Sequence, residues 1–582
     1  MKLSKLRNIA IAILMASALC SCSTPPSDGT YTFRILTTND VHGQYFDSLY
    51  VGSSTRPSLM SVSWYVDSLR NALGKENIVL IDAGDCLQGD NASYYYNYVD
   101  TRTKHLYARM AEYMGYDAIA VGNHDVETGH AVYDRMKKDM KVPFLAGNAF
   151  VEGTDKTYFD SYTVLNRKGI KILIAGYTNP NIKAWLSPKL WEGIEFKSLM
   201  GLVQEDIDRL RQKENPDVVI VAVHSGTGTG DGKSYESQGL DLFKTLKGVD
   251  FLICSHDHRS VVHNSDEICL INAGSHCKMI GDGKVTLEVK DGKVVSKTLS
   301  ADLIRVDRDK VDTRMRDIFR PDYEAVKAFT VQEVGHLDMD LRTADSYRGM
   351  SDYLNLIHTI SLSCSPARIS FAAPLSFNKT VKGGTLLYND LFTIYPYENQ
   401  LFVVSMTGRE IKNYLEYSYQ GWINTVADGQ AHLLKIVDSP DQRTGQKRWS
   451  FVGRSYNFDS AGGLVYVVDV TKPFGERIVI ESLADGSAFD LDANYNVAMT
   501  SYRASGGGSL MREGAGIDTD KIDERVVEYY PEIREILYDY LQKNSRITPE
   551  LVGNPEVIGH WEFVPSEVAE PMLDADMKLL FD

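Results

Sequence analysis

Histidine, carboxylate and asparagine side chains follow five short apolar segments in the first half of the sequence. These residues are Asp40 and His42, Asp85, Asn123 and His124, His224, and His256 and His258. Mixed oxygen and imidazole ligands without a thiolate suit Zn, Mn, Fe, Co or Ni better than an all-oxygen Mg or Ca site. The set is too large for one ion, and Asp85, alone after its segment, suits a carboxylate that bridges two. The residue types therefore predict a site for two divalent metal ions.

The apolar segments before these residues are typical of parallel strands covered on both faces, because they are short and lack polar alternation. We predict strands at 32–38, 77–81, 118–121, 142–146, 170–177, 217–223 and 249–254, and helices at 58–73, 105–114, 131–140, 200–213 and 240–246. This alternation indicates an α/β domain. Ligands bind beyond the carboxyl ends of the strands of α/β sheets, so the five groups are expected to converge in one crevice. A lone histidine at a strand end is more often a hydrogen-bonded structural residue, but that alternative does not account for five such ends.

Length and charge restrict the architecture and the partners. A chain of 582 residues is too long for one core and predicts two domains. The formal charge of -16 argues against nucleic-acid polymers or an anionic membrane surface as partners, since both require basic patches. A small anionic substrate would therefore be held by local cations.

The N-terminus has the pattern of a secretory signal. Basic residues precede an apolar run at 9–19, which is too short to span a bilayer comfortably. Leu19-Cys20-Ser21-Cys22 resembles a lipoprotein signal-peptidase box with Cys22 as the lipidated residue, and Cys20 fits worse because Leu19 precedes it. The alternative is a cleaved signal peptide without lipid. We predict an exported lipoprotein that is anchored to the membrane through Cys22 and faces the periplasm or the cell surface.

Five motifs of the first half, taken in order, resemble those of the calcineurin-like metallophosphoesterases. They are Asp40-x-His42, Gly84-Asp85-x-x-x-Gly89, Gly122-Asn123-His124-Asp125, His224-Ser225-Gly226 and His256-x-His258. Within these enzymes the chain is most similar to the secreted 5'-nucleotidase and 2',3'-cyclic-nucleotide 2'-phosphodiesterase family, from residue 32 to about residue 516. The resemblance implies two divalent ions such as Zn, Mn or Co. It assigns Asp40, His42, Asp85 and His258 to one ion, and Asp85, Asn123, His224 and His256 to the other.

The resemblance also implies that His124 is the transition-state histidine. The 5'-nucleotidases of the family pair this histidine with an aspartate three residues later, and Glu127 stands there in this sequence. A histidine oriented by a carboxylate can stabilise charge on phosphoryl oxygens or protonate a leaving alkoxide. A second departure is Ser255, which replaces the glycine that usually precedes the last His-x-His.

The second half of the sequence resembles the nucleotidase C-terminal domain. The matching segments are Tyr388 to Asn399, Thr407 to Leu415, Tyr456 to Asp459 and Ser501 to Gly508. The resemblance implies that Tyr397 and Tyr502 stack on the two faces of a base and that Asn399 makes a polar contact with it. With 33 tyrosines in the chain, the alternative is that these two are ordinary core residues. Arg342 and Arg348 are candidate phosphate contacts.

The segment 371–378 bears on which ester is cleaved. The 5'-nucleotidases carry a Gly-Gly-x-Arg here whose arginine grips the terminal phosphate, and this segment contains no arginine. It resembles the Ala-Pro-x-x-Phe of 2',3'-cyclic-nucleotide 2'-phosphodiesterase/3'-nucleotidases, as does the 456–459 segment. The predicted function is dinuclear-metal hydrolysis of nucleotide phosphate esters of that type outside the cytoplasm, for nucleoside and phosphate salvage. The alternatives are a 5'-nucleotidase/UDP-sugar hydrolase, or an inactive nucleotide-binding lipoprotein of the same fold.

The predicted architecture is a layered α/β metallophosphoesterase sandwich and a second, α+β substrate-binding domain, joined by a bridging helix. The expected boundaries are a lipoprotein signal peptide at 1–22, a tether at 23–30, the metallophosphoesterase domain at 31–305, a linker helix at 306–332, the substrate domain at 333–545 and a C-terminal tail at 546–582. A hairpin is predicted at 285–299 around Asp291-Gly292, and helices at 311–329, interrupted by Pro321, and at 526–542. Nothing in the sequence indicates the oligomeric state.

Overall fold

The computed structural model describes residues 25–427, 430–438 and 448–581. The predicted signal peptide and Cys22 lie outside these residues. The chain divides into two compact units, the first formed by residues up to 49, 53–181 and 191–320, and the second by 50–52, 182–190 and 321 onward. Among the described residues, no helix is long and apolar enough to cross a membrane.

The first unit alternates strands with helices. Its strands are β1 (Gly29–Thr38), β2 (Ile78–Asp82), β3 (Ala118–Ala120), β4 (Phe144–Leu145), β5 (Ala149–Val151), β6 (Tyr162–Arg167), β7 (Ile170–Tyr177), β8 (Ile194–Phe196), β9 (Val218–Val223), β10 (Phe251–Ile253), β11 (Ser260–Asn264), β12 (Cys269–Ala273), β13 (Met279–Lys290) and β14 (Lys293–Arg305). Its main helices are α1 (Leu59–Leu73), α2 (Asn91–Tyr94), α3 (Leu106–Met114), α4 (Asn123–Glu127), α5 (His130–Asp139), and, after α6 (Ile182–Trp185) of the second unit, α7 (Leu202–Glu214), α8 (Gly239–Thr245) and α9 (Thr313–Ile318).

Two six-stranded sheets form the centre of this unit. The first has the order β14-β13-β1-β2-β3-β4, in which β1 to β4 are parallel, and the second has the order β11-β12-β10-β9-β7-β6, in which β12, β10, β9 and β7 are parallel. The five strands that precede the candidate ligands are therefore divided between two sheets, with β1, β2 and β3 in one and β9 and β10 in the other.

The two sheets pack face to face around a common core. Side chains of both sheets, such as Ile35, Ile81, Ile220 and Ile253, are fully buried in one cluster. Helices α7 and α8 cover the outer face of the second sheet. The strands carry no polar alternation because apolar groups cover both of their faces. The predicted layered α/β sandwich is confirmed.

The predicted hairpin is also confirmed. Strands β13 and β14 pair antiparallel on either side of Asp291 and Gly292, which both have positive φ, as a two-residue type I′ turn requires. The predicted 311–329 helix forms as two helices, α9 and α10 (Arg320–Thr330), with Phe319 between them. The break lies beside Pro321, which has no backbone N–H to continue a helix.

The second unit is α+β. Its strands are β15 (Glu333–Leu337), β16 (Leu341–Arg342), β17 (Ile369–Ala372), β18 (Thr380–Val381), β19 (Gly384–Leu387), β20 (Gln400–Thr407), β21 (Ile436–Asp438), β22 (Trp449–Phe451), β23 (Ser460–Gly462), β24 (Leu464–Asp469), β25 (Ile478–Leu483), β26 (Asn494–Thr500), β27 (Val526–Glu532), β28 (Arg546–Ile547) and β29 (Gly559–Val564). Its remaining helices are α11 (Asp352–Ser363), α12 (Tyr388–Ile394), α13 (Gly408–Trp422), α14 (Ser501–Ala504), α15 (Ile533–Asn544), α16 (Pro549–Val552), α17 (Pro555–Ile558) and α18 (Ser566–Phe581). The largest sheet has the order β23-β17-β26-β20-β27.

The C-terminal part of the chain differs from the sequence expectation. The predicted 526–542 helix is wrong over its first seven residues, which form β27 against β20. Valine and tyrosine favour strands, and Pro531 disfavours a continuous helix, so the helix α15 begins only at Ile533. Residues 546–581, expected as a tail, are folded: β29 pairs with β24, and Leu573 of α18 is buried in the core of this unit.

Candidate dinuclear metal centre and base-binding tyrosines

Tight turns at the strand ends aim the candidate ligands. Asp40, His42, Asp85, His256 and His258 all have positive φ, between 44° and 75°. This left-handed conformation is unfavourable for residues with a Cβ, by roughly 1–2 kcal/mol each. Strain of this kind persists where the surrounding structure fixes it and clusters at functional sites. The presence of five such residues in these turns indicates that the turns have a functional role.

Glycines allow the turns to approach one another. A Cβ on Gly122 would overlap the backbone nitrogen and carboxylate of Asp85. A Cβ on Gly84 would lie 2.8 Å from Nδ1 of His224, and Gly84 also has φ of 97°. The loops after β2, β3 and β9 therefore meet only because these positions lack side chains.

The structure brings Asp40, His42 and His258 together in a first group, whose ligand atoms all lie within 4.8 Å of one another. The Nε2 atoms of the two histidines are 2.9 Å apart. Nδ1 of His42 is 3.0 Å from Oε1 of Gln88, which holds the ring so that Nε2 faces this group. Gln88 is a residue that the sequence analysis missed.

Asp85, His224 and His256 form a second group within the same distance limit. Oδ1 of Asn123 lies 3.0 Å from Nε2 of His224 and 2.9 Å from Nδ1 of His256, so the asparagine belongs to this group as well. Nδ1 of His224 is 2.8 Å from the carbonyl oxygen of Ala83, which leaves Nε2 to face Asp85 at 3.1 Å. All seven predicted ligands thus lie in two adjacent clusters.

The electrostatics of these groups fit divalent cations. Burial lowers the pKa of His256 to about 3 and that of His42 well below its usual range, so both imidazoles are neutral, the form that binds metals. Burial raises the pKa of Asp40 to about 8 against the attraction of His224. Against the effect of burial, the Asp85 carboxylate raises the pKa of His224 to about 9, and buried carboxylates of this kind are costly without a positive charge beside them. Two divalent ions would provide that charge, and the donor set of imidazole, carboxylate and amide oxygen suits them.

His124 and Glu127 are paired one turn apart on α4. Nδ1 of His124 is hydrogen-bonded to Oε2 of Glu127, and the glutamate is almost fully buried while the histidine side chain is 32% exposed. The backbone N–H of His124 donates to Oδ1 of Asp85 at 2.8 Å, and its ring centroid lies 5.5 Å from that of His42. The longer glutamate therefore reaches the histidine, which lies beside both metal groups.

Asp125, the neighbour of His124, has a different task. Its carboxylate accepts hydrogen bonds of 2.8–3.0 Å from the backbone N–H groups of Gly122, Asp85, Cys86 and Leu87. A carboxylate that accepts from four such donors holds the two loops together. Asp125 therefore positions the loops that carry Asp85 and His124. Asp125 lies in the motif Gly122-Asn123-His124-Asp125, which resembles that of the metallophosphoesterases. Its role in holding the loops follows only from its long-range contacts in the structure.

In the second unit, Tyr397 and Tyr502 are both at the surface, each 41% exposed. This exposure argues against the alternative that they are ordinary core tyrosines. Both rings contact a third tyrosine, Tyr456, with centroid distances of 6.4 Å and 6.5 Å. The two predicted stacking rings are therefore brought to one place.

A buried arginine holds the Tyr397 loop. Nη1 of Arg534 donates to the carbonyl oxygen of Tyr395 at 3.2 Å, and Nη2 is 2.9 Å from Oε1 of Glu398. The carbonyl oxygen of Asn399 accepts from the N–H of Ile533 at 3.0 Å, and Nδ2 of Asn399 is 3.4 Å from the hydroxyl of Tyr395. The start of α15 therefore fixes the segment that carries Tyr397 and Asn399, although the sequence of this helix contains no recognisable functional motif.

The candidate phosphate contacts are engaged elsewhere in the second unit. Arg342 pairs with Asp340 and Arg348 pairs with Asp574. Both arginines line a surface groove with Lys382. The described contacts do not join either arginine to the tyrosines.

Comparisons with known proteins agree with this organisation. Residues 33–260 match the model of the calcineurin-like phosphoesterases, and residues 333–513 match that of the 5'-nucleotidase C-terminal domain. A 5'-nucleotidase of Vibrio cholerae is 23% identical over 93% of this chain and 96% of its own. A 2',3'-cyclic-nucleotide 2'-phosphodiesterase/3'-nucleotidase of Haemophilus influenzae is 24% identical over 91% of this chain and 87% of its own.

A solved structure supports the fold. The crystal structure of a Staphylococcus aureus protein in complex with α-ketoglutarate has a TM-score of 0.72 with 19% identity, and covers 91% of this chain and 99% of its own. The two matched models, together with metal-ligand motifs gathered at the strand ends of a two-sheet sandwich, decide the family. The chain belongs to the metallophosphoesterases that combine a calcineurin-like phosphoesterase domain with a 5'-nucleotidase C-terminal domain.

Proposed function

We propose that this protein hydrolyses phosphate esters of nucleotides with two divalent metal ions. The observation that carries the proposal is the convergence of the two ligand groups beside the His124–Glu127 pair. In this assignment Asp40, His42, Asp85 and His258 hold one ion, and Asp85, Asn123, His224 and His256 hold the other. Two ions bound there would supply positive charge for the phosphate oxygens and would lower the pKa of a water molecule that could attack phosphorus.

The protein residues supply positioning and proton transfer. Glu127 is hydrogen-bonded to Nδ1 of His124. Nε2 is therefore the ring nitrogen that faces the substrate. From there the imidazole stabilises charge on the phosphoryl oxygens or protonates the leaving oxygen, and the buried carboxylate stabilises the cationic ring. Gln88 and Asp125 keep the ligand turns in place.

For the substrate we favour 2',3'-cyclic nucleotides and 3'-nucleotides, acted on outside the cytoplasm. The support is the lack of an arginine at 371–378, together with the similarity to the Haemophilus influenzae enzyme of that name. Tyr397 and Tyr502 stack on the base, and Asn399 contacts its polar edge. Stacking tolerates different bases and contributes about 1–3 kcal/mol per base.

A 5'-nucleotidase is the second candidate, because the Vibrio cholerae relative of nearly equal length carries that name. The discriminating experiment measures kcat/KM for 2',3'-cyclic AMP, 3'-AMP and 5'-AMP side by side with the same metal. A preference for the first two supports our assignment. A clear preference for 5'-AMP would replace it with the second candidate, and no hydrolysis of any nucleotide would reject both.

We further propose that the protein is a lipoprotein whose anchor is Cys22. The support is the sequence pattern around Cys22. Mass spectrometry of the membrane fraction is expected to find an acylated N-terminal Cys22, and Cys22→Ala is expected to release the protein from the membrane. A mature N-terminus downstream of Cys22 would contradict the anchor.

A further inference from the structure

Tyr456 contacts both tyrosines assigned to the base. Its ring plane makes angles of 73° with Tyr397 and 78° with Tyr502, and its centroid is nearly equidistant from theirs, at 6.4 Å and 6.5 Å. Both contacts are therefore of the edge-to-face type. Such edge-to-face contacts are a favourable arrangement of aromatic groups.

We propose that Tyr456 is a third wall of the base slot, closing it at one edge, so that a bound base contacts three rings. The inference rests on the proposed function and adds to it a residue that determines selectivity for substrates with a nucleobase. The two outer rings stack on the faces of the base, and Tyr456 packs against its rim.

One buried arginine fixes this wall. Arg503 is hydrogen-bonded through Nη2 to the carbonyl oxygen of Tyr456, and through Nη1 to Oδ1 of Asn457 at 3.1 Å and to the carbonyl oxygen of Gly507 at 2.7 Å. The same guanidinium lies 5.2 Å from the ring centroid of Tyr502. Arg503 therefore contacts the backbone of Tyr456, the backbone of Gly507 and the ring of Tyr502 at the same time.

Asp459 in turn holds Arg503 rigid. Its two carboxylate oxygens accept from Nε and Nη2 of the arginine at 2.8 Å and 2.7 Å, and the hydroxyl of Tyr414 also donates to this carboxylate. A bidentate pair of this kind restricts orientation as well as position. Arg503 is a positioning residue that preorganises two of the three walls before a base binds, which lowers the cost of binding.

The test compares a nucleotide with a base-free aryl phosphate in wild type, Tyr456→Ala and Tyr456→Phe. The measured quantity is the ratio of kcat/KM for the nucleotide to kcat/KM for the aryl ester. Tyr456→Ala is expected to lower this ratio about tenfold, mainly through KM, because one aromatic contact with the base is lost. Tyr456→Phe is expected to restore most of the ratio, since the ring remains.

Two further variants separate positioning from general damage. Arg503→Lys keeps a cation beside Asp459 but loses the planar fork, so it should also lower the ratio. Tyr540→Ala removes a half-buried tyrosine of α15 that makes none of the described ring contacts with the three, and should leave the ratio at the wild-type value.

The inference is overturned if Tyr456→Ala leaves the ratio unchanged or lowers the KM for the nucleotide, because Tyr456 would then be absent from the slot or would block it. If Tyr397→Ala lowers the ratio and Tyr456→Ala does not, only this inference fails. If the wild-type protein cleaves the aryl ester but no nucleotide, the proposed function fails instead.

Discussion

The hydroxyl of Ser255 donates a 2.6 Å hydrogen bond to Oδ2 of Asp40. The backbone N–H of His256 donates to the same carboxylate oxygen at 3.0 Å. Asp40 follows β1 of the first sheet and Ser255 follows β10 of the second, so these bonds tie together ligand turns of different sheets. The resemblance to the metallophosphoesterases implies a glycine at this position, and a glycine could not make the side-chain contact. The serine therefore adds a positioning contact to the candidate ligand Asp40.

Removing this contact should weaken metal binding. Ser255→Ala is expected to reduce metal affinity by about tenfold or more, since loss of a group that orients a ligand typically costs 10–100-fold. Titration calorimetry of metal-free protein measures the change, and Ser255→Gly should behave in the same way. The control is Ser300→Ala, at an exposed position of β14. Equal affinity in Ser255→Ala and wild type would mean that the hydroxyl has no part in holding Asp40.

His124 and Glu127 should act as one unit. His124→Ala is expected to lower kcat by about 10²–10⁴ while metal content stays near the wild-type value, because an acid–base or charge-stabilising group is lost. Glu127→Gln removes the charge that orients the ring and should also lower kcat. The double variant should be little worse than His124→Ala, since groups that work together are not additive. Loss of metal in step with activity would identify His124 as a ligand and contradict its assigned role.

Gly122 should tolerate no side chain. Gly122→Ala would force a Cβ into Asp85, so the turns must separate at a cost of about 1–3 kcal/mol or more. Both the melting temperature and the metal content are expected to fall. Gly421→Ala is the matched control, because a Cβ there meets nothing within 4 Å in the helix α13. A Gly122→Ala protein with normal metal content would show that the loops after β2 and β3 adapt more easily than their contacts suggest.

Arg534 should be required for stability. Arg534→Met removes the guanidinium beside the buried carboxylate of Glu398, and loss of one member of a buried ion pair typically costs about 3–5 kcal/mol. The double variant Arg534→Met with Glu398→Gln also removes the buried negative charge and should recover part of the loss. Denaturant unfolding of the three proteins measures this. A double variant no more stable than Arg534→Met would show that the ion pair is not the reason.

Much of the candidate metal site could be located from the sequence, because its candidate ligands follow local patterns. A buried strand and the polar turn after it are contiguous, as at Ala118–Ala120 and Asn123. The division of these strands between two sheets could not be predicted, since the pattern of a covered strand does not say which neighbour it pairs with. The ligands still converge, because β1 and β10 end at turns that meet through Asp40 and His256.

The residues that support the site could not be predicted from the sequence for a different reason. Gln88 contacts the ring of His42, and Arg503 and Arg534 contact the backbone carbonyl groups of Tyr456 and Tyr395. These partners are more than 40 residues away in the sequence, so the contacts could not be inferred from local patterns. The segment at 526–532 was predicted as part of a helix. Its valines and tyrosines pair with β20 instead, so tertiary contacts decided the structure.

In the proposed function, Asp85 would contribute to the binding of both metal ions, and hydrolysis would require both. The most direct test is to strip the protein with a chelator, restore a divalent metal stepwise, and measure bound metal by elemental analysis together with hydrolysis of 2',3'-cyclic AMP. Activity is expected to return only as occupancy approaches two ions per chain, and Asp85→Asn is expected to lose most activity because the proposal assigns this carboxylate to both ions. Full activity with one ion per chain, with none, or in Asp85→Asn would contradict the proposed two-metal hydrolysis.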